Sequence, residues 1–303
     1  MKVDILVLNY NGKSLLEAYL PSVMAAAKKS SHECRAYVVD NKSADGSVEL
    51  LKQKFPEAGI IEAKENRVLC SYNEAVRRLS SDIVIFLNND IKVEPDFVDK
   101  LVRHFDDASV MFVAPRLLNF DGTYNGGRSY LELRNGAVKV MVDTANAEKP
   151  GETQAISTGA FRRKYFLDLG GFDDLYLPGI WEDVDLCFKG LMLGYKGIYD
   201  PSSVIWHDES TTFHKVYGRR KKMTIAHRNM FLFFWKNVTD GRLILEHAIF
   251  LFPRLVALAL KGNMEPAMGF FHALGKFPLV MRKRKETKKF FDKRVLGDRE
   301  IIK

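Results

Sequence analysis

Five short apolar segments, separated by helical patterns, constrain the fold of residues 1–115 more than any other feature of the sequence. The predicted strands are Val3–Asn9, Arg35–Asp40, Ile60–Ala63, Ile83–Leu87 and Val110–Ala114. The predicted helices between them are Ser14–Lys29, Gly46–Lys54, Cys70–Leu79 and Pro95–Phe105. This alternation is typical of an α/β fold with a mostly parallel sheet flanked by helices. The first and fourth strands are almost wholly apolar, as expected for strands that are covered on both faces.

The alternation ends after residue 115. Residues 116–156 are rich in Gly, Asn and Asp at Asn119–Gly127, and the stretch Ala137–Val142 suggests a hairpin or a loop. Order then returns with a predicted helix near Glu182–Leu193 and a predicted strand near Ser203–Trp206 that ends at His207. We therefore predict one large domain that covers residues 1–222.

Residues 223–303 have a different character and are predicted to form long helices. Met230–Trp235 is strongly aromatic, and Leu243–Leu260 is aliphatic but contains two charged residues, a histidine and a proline. A membrane-spanning helix needs roughly 20 mainly apolar residues, so we reject a transmembrane segment. We expect a helical extension that lies in the membrane interface with its aromatic and aliphatic face inward. A helical pair packed on the main domain is the alternative.

The positive charge of the chain is concentrated near its end. The net charge is +8, and Met281–Lys303 contains ten Lys and Arg against four Asp and Glu. Arg219–Lys222 is a second basic cluster. Basic runs attract nucleic acid or anionic lipid, but no nucleic-acid-binding motif accompanies them. We therefore expect the C-terminal region to contact an anionic membrane surface, and we expect no nucleic-acid partner; a solvated basic tail is the alternative.

The cysteines and the N-terminus indicate the compartment. Cys34, Cys70 and Cys187 are an odd number at wide spacings, which is typical of reduced thiols that pack in a cytosolic protein. The N-terminus enters a strand pattern directly, without the pattern of a signal peptide. These features predict a cytoplasmic protein, peripheral at the inner face of the cell membrane.

Polar side chains follow three of the predicted strands where each strand ends. Asn9 and Tyr10 end the first strand, Asp40 ends the second, and Asn88 and Asp90 follow the fourth. Ligands of a parallel α/β sheet bind beyond the carboxyl ends of its strands. A carboxylate there, at Asp90, suits a divalent cation that bridges phosphates. Turn formation or helix capping is the alternative explanation for these polar residues.

A second acidic group lies at a predicted helix start. Glu182, Asp183 and Asp185 place three carboxylates within four residues, and the helix dipole alone explains at least one of them. Glu182 and Asp185 share a helix face by their spacing, whereas Asp183 faces elsewhere. An ionised carboxylate there can act as a general base. His207 can serve as a metal ligand or as a structural histidine.

Six motifs, taken in order, resemble glycosyltransferase family 2 and, within it, rhamnosyltransferase-like enzymes of bacterial cell-surface polysaccharide synthesis. The motifs are Asn9–Gly12, Val38–Ser47, Leu87–Asp90, Gly170–Asp173, Glu182–Cys187 and His207. The resemblance implies a GT-A fold, which is Rossmann-like. It also implies an inverting, metal-dependent hexosyl- or rhamnosyltransferase that uses a nucleotide diphosphate sugar.

The resemblance also implies a role for individual residues. Asp183 matches the catalytic base, and Asp90 with His207 matches the site of Mg²⁺ or Mn²⁺. Asn88 stands where many relatives have the first aspartate of an Asp-x-Asp motif. Asp40 would contact the nucleobase in a pocket lined by Asn9 and Tyr10.

One segment departs from the family pattern. Asn66–Ala75 retains Asn66 and Asn73, which match donor-binding positions, but lacks the glycines that the family usually has there. The donor sugar therefore stays unassigned. The expected acceptor is a saccharide, free or linked to polyprenyl diphosphate. A sugar nucleotidyltransferase and a non-catalytic sugar-binding scaffold of the same fold are the alternatives.

Overall fold

The computed structural model describes residues 1–208 and 212–303, and for 212–217 the backbone alone. The strands are β1 (Lys2–Asn9), β2 (Glu33–Asp40), β3 (Gly59–Glu62), β4 (Ile83–Asn88), β5 (Ile91–Val93), β6 (Val110–Asn119), β7 (Tyr124–Gly126), β8 (Ser129–Arg134), β9 (Ala137–Val142), β10 (Gly151–Glu152), β11 (Gly159–Arg162) and β12 (Lys196–His207). The helices are α1 (Lys13–Lys29), α2 (Ser47–Lys54), α3 (Ser71–Arg78), α4 (Phe97–Val102), α5 (Arg163–Asp168), α6 (Glu182–Met192), α7 (Thr212–Asn237), α8 (Gly241–Leu260), α9 (Glu265–Gly275), α10 (Phe277–Phe291) and α11 (Asp298–Ile301).

The central sheet follows the order β10-β12-β6-β11-β4-β1-β2-β3. Its longest ladders, β1 with β2, β1 with β4 and β6 with β12, are parallel, and β11 is inserted antiparallel between β4 and β6. The register sets Asn9 opposite Asp40 and Leu8 opposite Asn88. The polar ends of β1, β2 and β4 therefore meet at one edge of the sheet.

The apolar strands are covered on both faces, which explains why they lack alternation. Ile5 and Ile85 pack in a core with α1 and α4. Leu6 and Val84 point the other way and pack in a second core with α3, α5 and α6. Side chains of successive strand residues point to opposite faces, so each strand contributes to both cores. The prediction of a mixed α/β fold flanked by helices, with a C-terminal helical region, is confirmed.

The region after β6 contains a separate two-stranded sheet. β8 and β9 form an antiparallel hairpin, which agrees with the hairpin predicted at Ala137–Val142. β12 is longer than the predicted strand and carries a register shift between Asp200 and Val204. Its last residue, His207, pairs with Ile91 of β5, directly after Asp90.

The aromatic run of α7 lies in the protein interior, and the expectation that it faces the membrane is wrong. Met230–Phe234 is buried in a third core with side chains of α6 and β8. The ring centroid of Phe233 lies 5.0 Å from that of Trp181 and 5.2 Å from that of Phe188. Position 222 lies within α7, and the division of the chain into 1–222 and 223–303 stays a prediction.

In the part of the chain that the structure describes, α8 is the one helix long and apolar enough to cross a membrane. One side of it packs on the protein, because Leu243, His247 and Leu255 are buried and the imidazole Nδ1 of His247 lies 2.5 Å from the carbonyl oxygen of Gly136. Its other side is exposed and apolar. The helix thus has the length and composition that the sequence analysis required of a membrane-spanning segment, properties that the core helices of soluble proteins share, and the rejection of such a segment stays a prediction.

Candidate functional site

The strand-end residues of β1 and β2 form a buried polar cluster. The side-chain amide of Asn9 donates to the Oδ1 atom of Asp40 at 3.0 Å and to the hydroxyl of Ser43 at 3.1 Å. The other oxygen of Asp40 accepts from the backbone N–H of Ser43 at 2.9 Å. Asn9 in turn accepts from the amide of Asn89 at 2.8 Å. The structure thus brings Asn9 and Asp40 together and fixes their orientation.

Asp90, like Asn41, is a residue of this edge that has unused bonding capacity. Its side chain is buried, and its Oδ1 atom has no hydrogen-bond partner. The imidazole Nε2 of His207 lies 3.4 Å from that same oxygen. A buried, unpartnered carboxylate oxygen costs about 1–3 kcal/mol or more, and a cation bound between the two side chains would remove that cost.

The carboxylate of Asp90 is a donor that suits Mg²⁺ or Mn²⁺, which prefer oxygen ligands from carboxylates and water. Among residues 1–208 and 212–303, no group of three or more His, Cys, Asp or Glu side chains is placed to hold a metal ion. A divalent ion held by Asp90 and His207 would therefore have most of its coordination positions open to water and to oxygens of a bound phosphate.

Asp183 lies at the second residue of α6 and is half-buried. It lines a cavity of about 140 Å³ together with Leu117, Gly126 and Thr158. The backbone N–H of Val184 donates to its Oδ1 atom at 2.8 Å. Burial raises the pKa of Asp183 above its ordinary value, so this carboxylate is a stronger base than an exposed aspartate.

Glu182, the neighbour of Asp183, is more deeply buried and keeps its Oε2 atom without a hydrogen-bond partner. Burial, followed by the charge of Asp183, raises the pKa of Glu182. Two adjacent carboxyl groups that both resist ionisation favour a single negative charge between them. Asp183 is the more accessible of the two, because it faces the cavity.

The cavity beside Asp183 adjoins the carboxyl end of β4. The hydroxyl of Thr158, which lines the cavity, donates to the carbonyl oxygen of Phe86 in β4 at 2.7 Å. Leu117, also in the lining, pairs with Ile205 of β12, two residues before His207. The cavity that Asp183 lines thus lies beside the carboxyl ends of β4 and β6, although Asp90 and His207 are not among its lining residues.

Asp185 belongs to a different environment from Asp183, as their helical spacing predicts. Both oxygens of Asp185 accept from the ammonium of Lys236 at 2.8 Å, and the Oδ1 atom also accepts from Tyr176 at 2.7 Å. Burial acts to raise the pKa of Asp185, but the charges of Lys236 and Lys189 outweigh burial and hold the pKa below its ordinary value. This ion pair fastens α6 to α7.

Asn66 and Asn73, the two residues predicted to bind the sugar donor, form side-chain hydrogen bonds with backbone groups of the protein. Asn66 is exposed and accepts from the N–H of Val68 at 3.0 Å. Asn73 both donates to and accepts from the backbone of Phe172, at 2.8 and 2.9 Å. Asn73 lines a second cavity, of about 560 Å³, on the side of α10. Their contact with a donor stays a prediction.

Tyr10 and Asn88 are half-buried at the ends of β1 and β4, at the predicted edge. The sequence analysis missed Asn89, whose position between Asn88 and Asp90 was the available signal. It also missed Asn41, which is buried and donates to the carbonyl oxygen of Val68 at 3.2 Å. That bond ties the segment after β3 to the polar cluster.

Comparison with known proteins gives a consistent result. Residues 4–170, more than half of the chain, match the family model described as Glycosyl transferase family 2. A pre-mycofactocin glycosyltransferase of Mycobacterium tuberculosis is 28% identical over 154 residues, which cover 49% of this chain and 31% of that protein. An undecaprenyl-phosphate 4-deoxy-4-formamido-L-arabinose transferase of Photorhabdus laumondii is 29% identical over 111 residues, which cover 34% of this chain and 33% of that protein. The chain thus spans about a third of the length of these curated relatives.

A solved structure shares the fold. The mannosyltransferase PcManGT of Pyrobaculum calidifontis, in complex with GDP-Man and Mn²⁺, superposes with a TM-score of 0.56 at 18% identity. The superposition covers 90% of this chain and 75% of that one. At this identity the likeness concerns the fold, and it extends beyond the residues that match the family model.

Proposed function

The chain belongs to glycosyl transferase family 2 and has the GT-A fold, and from this premise we propose that it transfers a hexosyl or rhamnosyl group from a nucleotide diphosphate sugar to a saccharide with inversion at the anomeric carbon. The observation that carries the proposal is the unpartnered oxygen of Asp90 beside His207, at the sheet edge that also adjoins Asp183. Asp90 and His207 would hold the ion that stabilises the leaving diphosphate, and Asp183 would accept the proton of the acceptor hydroxyl.

On the donor side, the buried cluster of Asn9 and Asp40 with neighbouring Tyr10 would bind the nucleobase. Asp90 and His207 would hold Mg²⁺ or Mn²⁺, and Asn88 lies beside them at the strand end. When bound, the ion supplies positive charge that stabilises the departing diphosphate. The relative solved with GDP-Man and Mn²⁺ supports this class of donor and ion.

On the acceptor side, Asp183 would accept the proton of the attacking hydroxyl. The acceptor oxygen forms its bond to the anomeric carbon as the bond from that carbon to the diphosphate oxygen breaks, and the proton ends on the Asp183 carboxyl. A general base is most effective when its pKa lies near the working pH. The raised pKa of Asp183 brings this carboxylate closer to that condition.

A panel of UDP-, GDP- and dTDP-sugars, assayed with and without Mg²⁺ or Mn²⁺, tests the proposal. We expect metal-dependent release of nucleoside diphosphate from one donor class and transfer to an added saccharide. Formation of a nucleotide sugar from nucleoside triphosphate and sugar phosphate would instead identify a nucleotidyltransferase. Donor binding without turnover would identify a sugar-binding scaffold. The Asp90→Asn variant is assayed with the same panel. Asp106→Asn, which changes an aspartate at an exposed position, is its matched control.

We further propose that the acceptor is linked to polyprenyl diphosphate and is met at the cytoplasmic face of the cell membrane. The support is an exposed apolar face on α8 and α9, in which Leu245 is 60% exposed, Phe252 63% and Phe271 67%. Exposed Arg242 and Lys261 lie at the two ends of α8, where cations meet anionic headgroups. The Photorhabdus relative, by its name an undecaprenyl-phosphate 4-deoxy-4-formamido-L-arabinose transferase, supports a lipid-linked acceptor.

Co-sedimentation with vesicles of phosphatidylglycerol and phosphatidylcholine tests this face. Each large apolar side chain contributes roughly 1.5–3 kcal/mol when it is buried. Leu245→Ser with Phe252→Ser should therefore lower the vesicle partition coefficient by at least about tenfold. Val295→Ser, which changes an equally exposed residue away from α8 and α9, should leave it unchanged. Equal binding by both variants would refute the role of this face.

A further inference from the structure

The backbone segment that leads into α6, residues 176–181, has an unusual conformation. Ile180 and Trp181 have φ angles of 72° and 88°, in the left-handed region that non-glycine residues rarely adopt. Such residues persist only where surrounding groups hold them, and they concentrate at functional sites. Trp181 is the N-cap of α6, and its carbonyl oxygen accepts the N–H of Asp185 at 2.9 Å. The conformation of this segment therefore determines where Asp183 lies.

The side chain of Asn229, in α7, makes three of the contacts that hold the segment. Asn229 is fully buried, and its Nδ2 atom lies 2.7 Å from the carbonyl oxygen of Tyr176, 2.8 Å from that of Gly179 and 2.7 Å from that of Ile180. Three carbonyl groups of the segment thus converge on a single donor. An alternative conformation of the segment would leave buried carbonyl oxygens without a partner, which is costly.

The orientation of Asn229 is itself fixed. Its Oδ1 atom accepts from Nε of Arg228 at 2.9 Å, so its Nδ2 atom must point at the segment. The guanidinium of Arg228 also donates to the carbonyl oxygen of Leu177 at 2.7 Å. Lys276, the residue directly before α10, adds a further contact: its ammonium donates to the carbonyl oxygen of Leu175, next to the segment, at 3.2 Å.

We infer that Asn229 is a positioning residue for Asp183. It touches neither reacting atom, and it acts by holding the carbonyl groups of the segment that begins α6. The rest of α6 is anchored separately by the ion pair of Asp185 and Lys236. Loss of Asn229 should therefore displace the start of the helix while the helix stays docked. The inference depends on the proposed function, in which Asp183 is the base.

The size of the expected effect follows from the geometry of catalysis. A displacement of about 1 Å in a reacting group can cost about 10²-fold in rate. We expect Asn229→Ala to lower kcat by about that factor and to leave the KM of the donor within about threefold, since donor residues lie on other elements. Thr224→Val is the matched control, because Thr224 is also a buried polar residue of α7 but donates to the carbonyl oxygen of Arg220 in its own helix, at 3.0 Å.

A double-mutant cycle with Asp183→Asn distinguishes positioning from general stabilisation. In the Asp183→Asn background, Asn229→Ala should lower kcat by no more than about threefold, because the base that it positions is already lost. The assay uses the full chain with the donor and acceptor that the panel identifies. Asn229→Ser, which keeps one donor, follows the same cycle if the alanine variant does not fold.

The outcomes separate the two levels of the proposal. If Asp183→Asn loses activity but Asn229→Ala lowers kcat by a further factor of about 10² in that background, the positioning role is overturned and the proposed function stands. A kcat for Asn229→Ala equal to that of Thr224→Val also overturns it. If Asp183→Asn keeps full activity, the base assignment fails, and the positioning role fails with it.

Discussion

The two parts of the proposed catalytic site, one for the donor and one for the acceptor, are positioned by different means. The donor part, with Asn9 and Asp40, is placed by the register of neighbouring parallel strands. The acceptor part, with Asp183, is placed by a strained segment that Asn229 holds from α7. The first arrangement follows from the sheet itself, whereas the second depends on helices that lie beyond the residues matching the family model. Changes in the two parts should therefore produce different defects.

The largest effect is expected in the acceptor part. Asp183→Asn removes the base and should lower kcat by about 10²–10⁴-fold, while the Kd of the donor stays nearly unchanged because donor residues are untouched. Steady-state kinetics and calorimetric titration with the donor measure the two quantities. A large loss of donor affinity in this variant would show that the two parts are not separate.

The next effect concerns the attachment of α6 to α7. Lys236→Met leaves the buried carboxylate of Asp185 without its main partner, and breaking a buried ion pair in this way costs about 3–5 kcal/mol. Urea unfolding should show this loss. Arg219→Met removes an exposed charge from the same helix and should have little effect. Similar stability of both variants would contradict the role of the buried pair.

On the donor side, Asp90→Asn should weaken the binding of Mn²⁺ with nucleoside diphosphate by about 10²-fold or more, because changes outside the ligand set of a metal already cost 10–100-fold. Isothermal titration with Mn²⁺ at saturating nucleoside diphosphate measures this. The free energy of unfolding should not fall, since the change removes the charge of a buried carboxylate whose Oδ1 atom has no hydrogen-bond partner. Unchanged Mn²⁺ affinity would exclude Asp90 as a ligand.

The smallest effect is a pH dependence confined to the acceptor part. Asp183 must be ionised to accept a proton, and burial raises its pKa. Turnover should therefore fall as the pH drops through a midpoint above about 3.9, the ordinary pKa of aspartate. Donor binding should not follow this curve. A turnover profile with a midpoint at or below the ordinary value would contradict the assignment.

Much of the sheet was predictable because its strands carry local signals. Ile83–Leu87 is apolar throughout and ends in polar residues, so both the strand and the ligand edge follow from the sequence. The burial of Met230–Phe234 was not predictable in this way. Hydrophobicity indicates that an apolar run is removed from water, but it does not show whether lipid or another element of the protein, here α6, covers it.

The role of Asn229 was also beyond sequence reasoning. A lone amide before an aromatic run has many explanations, and its partners lie 49–53 residues earlier in the chain. The strain at Ile180 and Trp181 has no signal in residue type, because neither residue favours a positive φ. Contacts made by the tertiary fold determine both features.

A crystal structure with Mn²⁺ and the nucleoside diphosphate that binds most tightly is the most direct test. We expect the ion to be bound by Asp90 and His207 and to contact the diphosphate, with the carboxylate of Asp183 facing the same cleft from the opposite side of the sugar position. An ion bound elsewhere, or an Asp183 carboxylate that opens onto a separate surface, would contradict the assignment of both parts to one catalytic site.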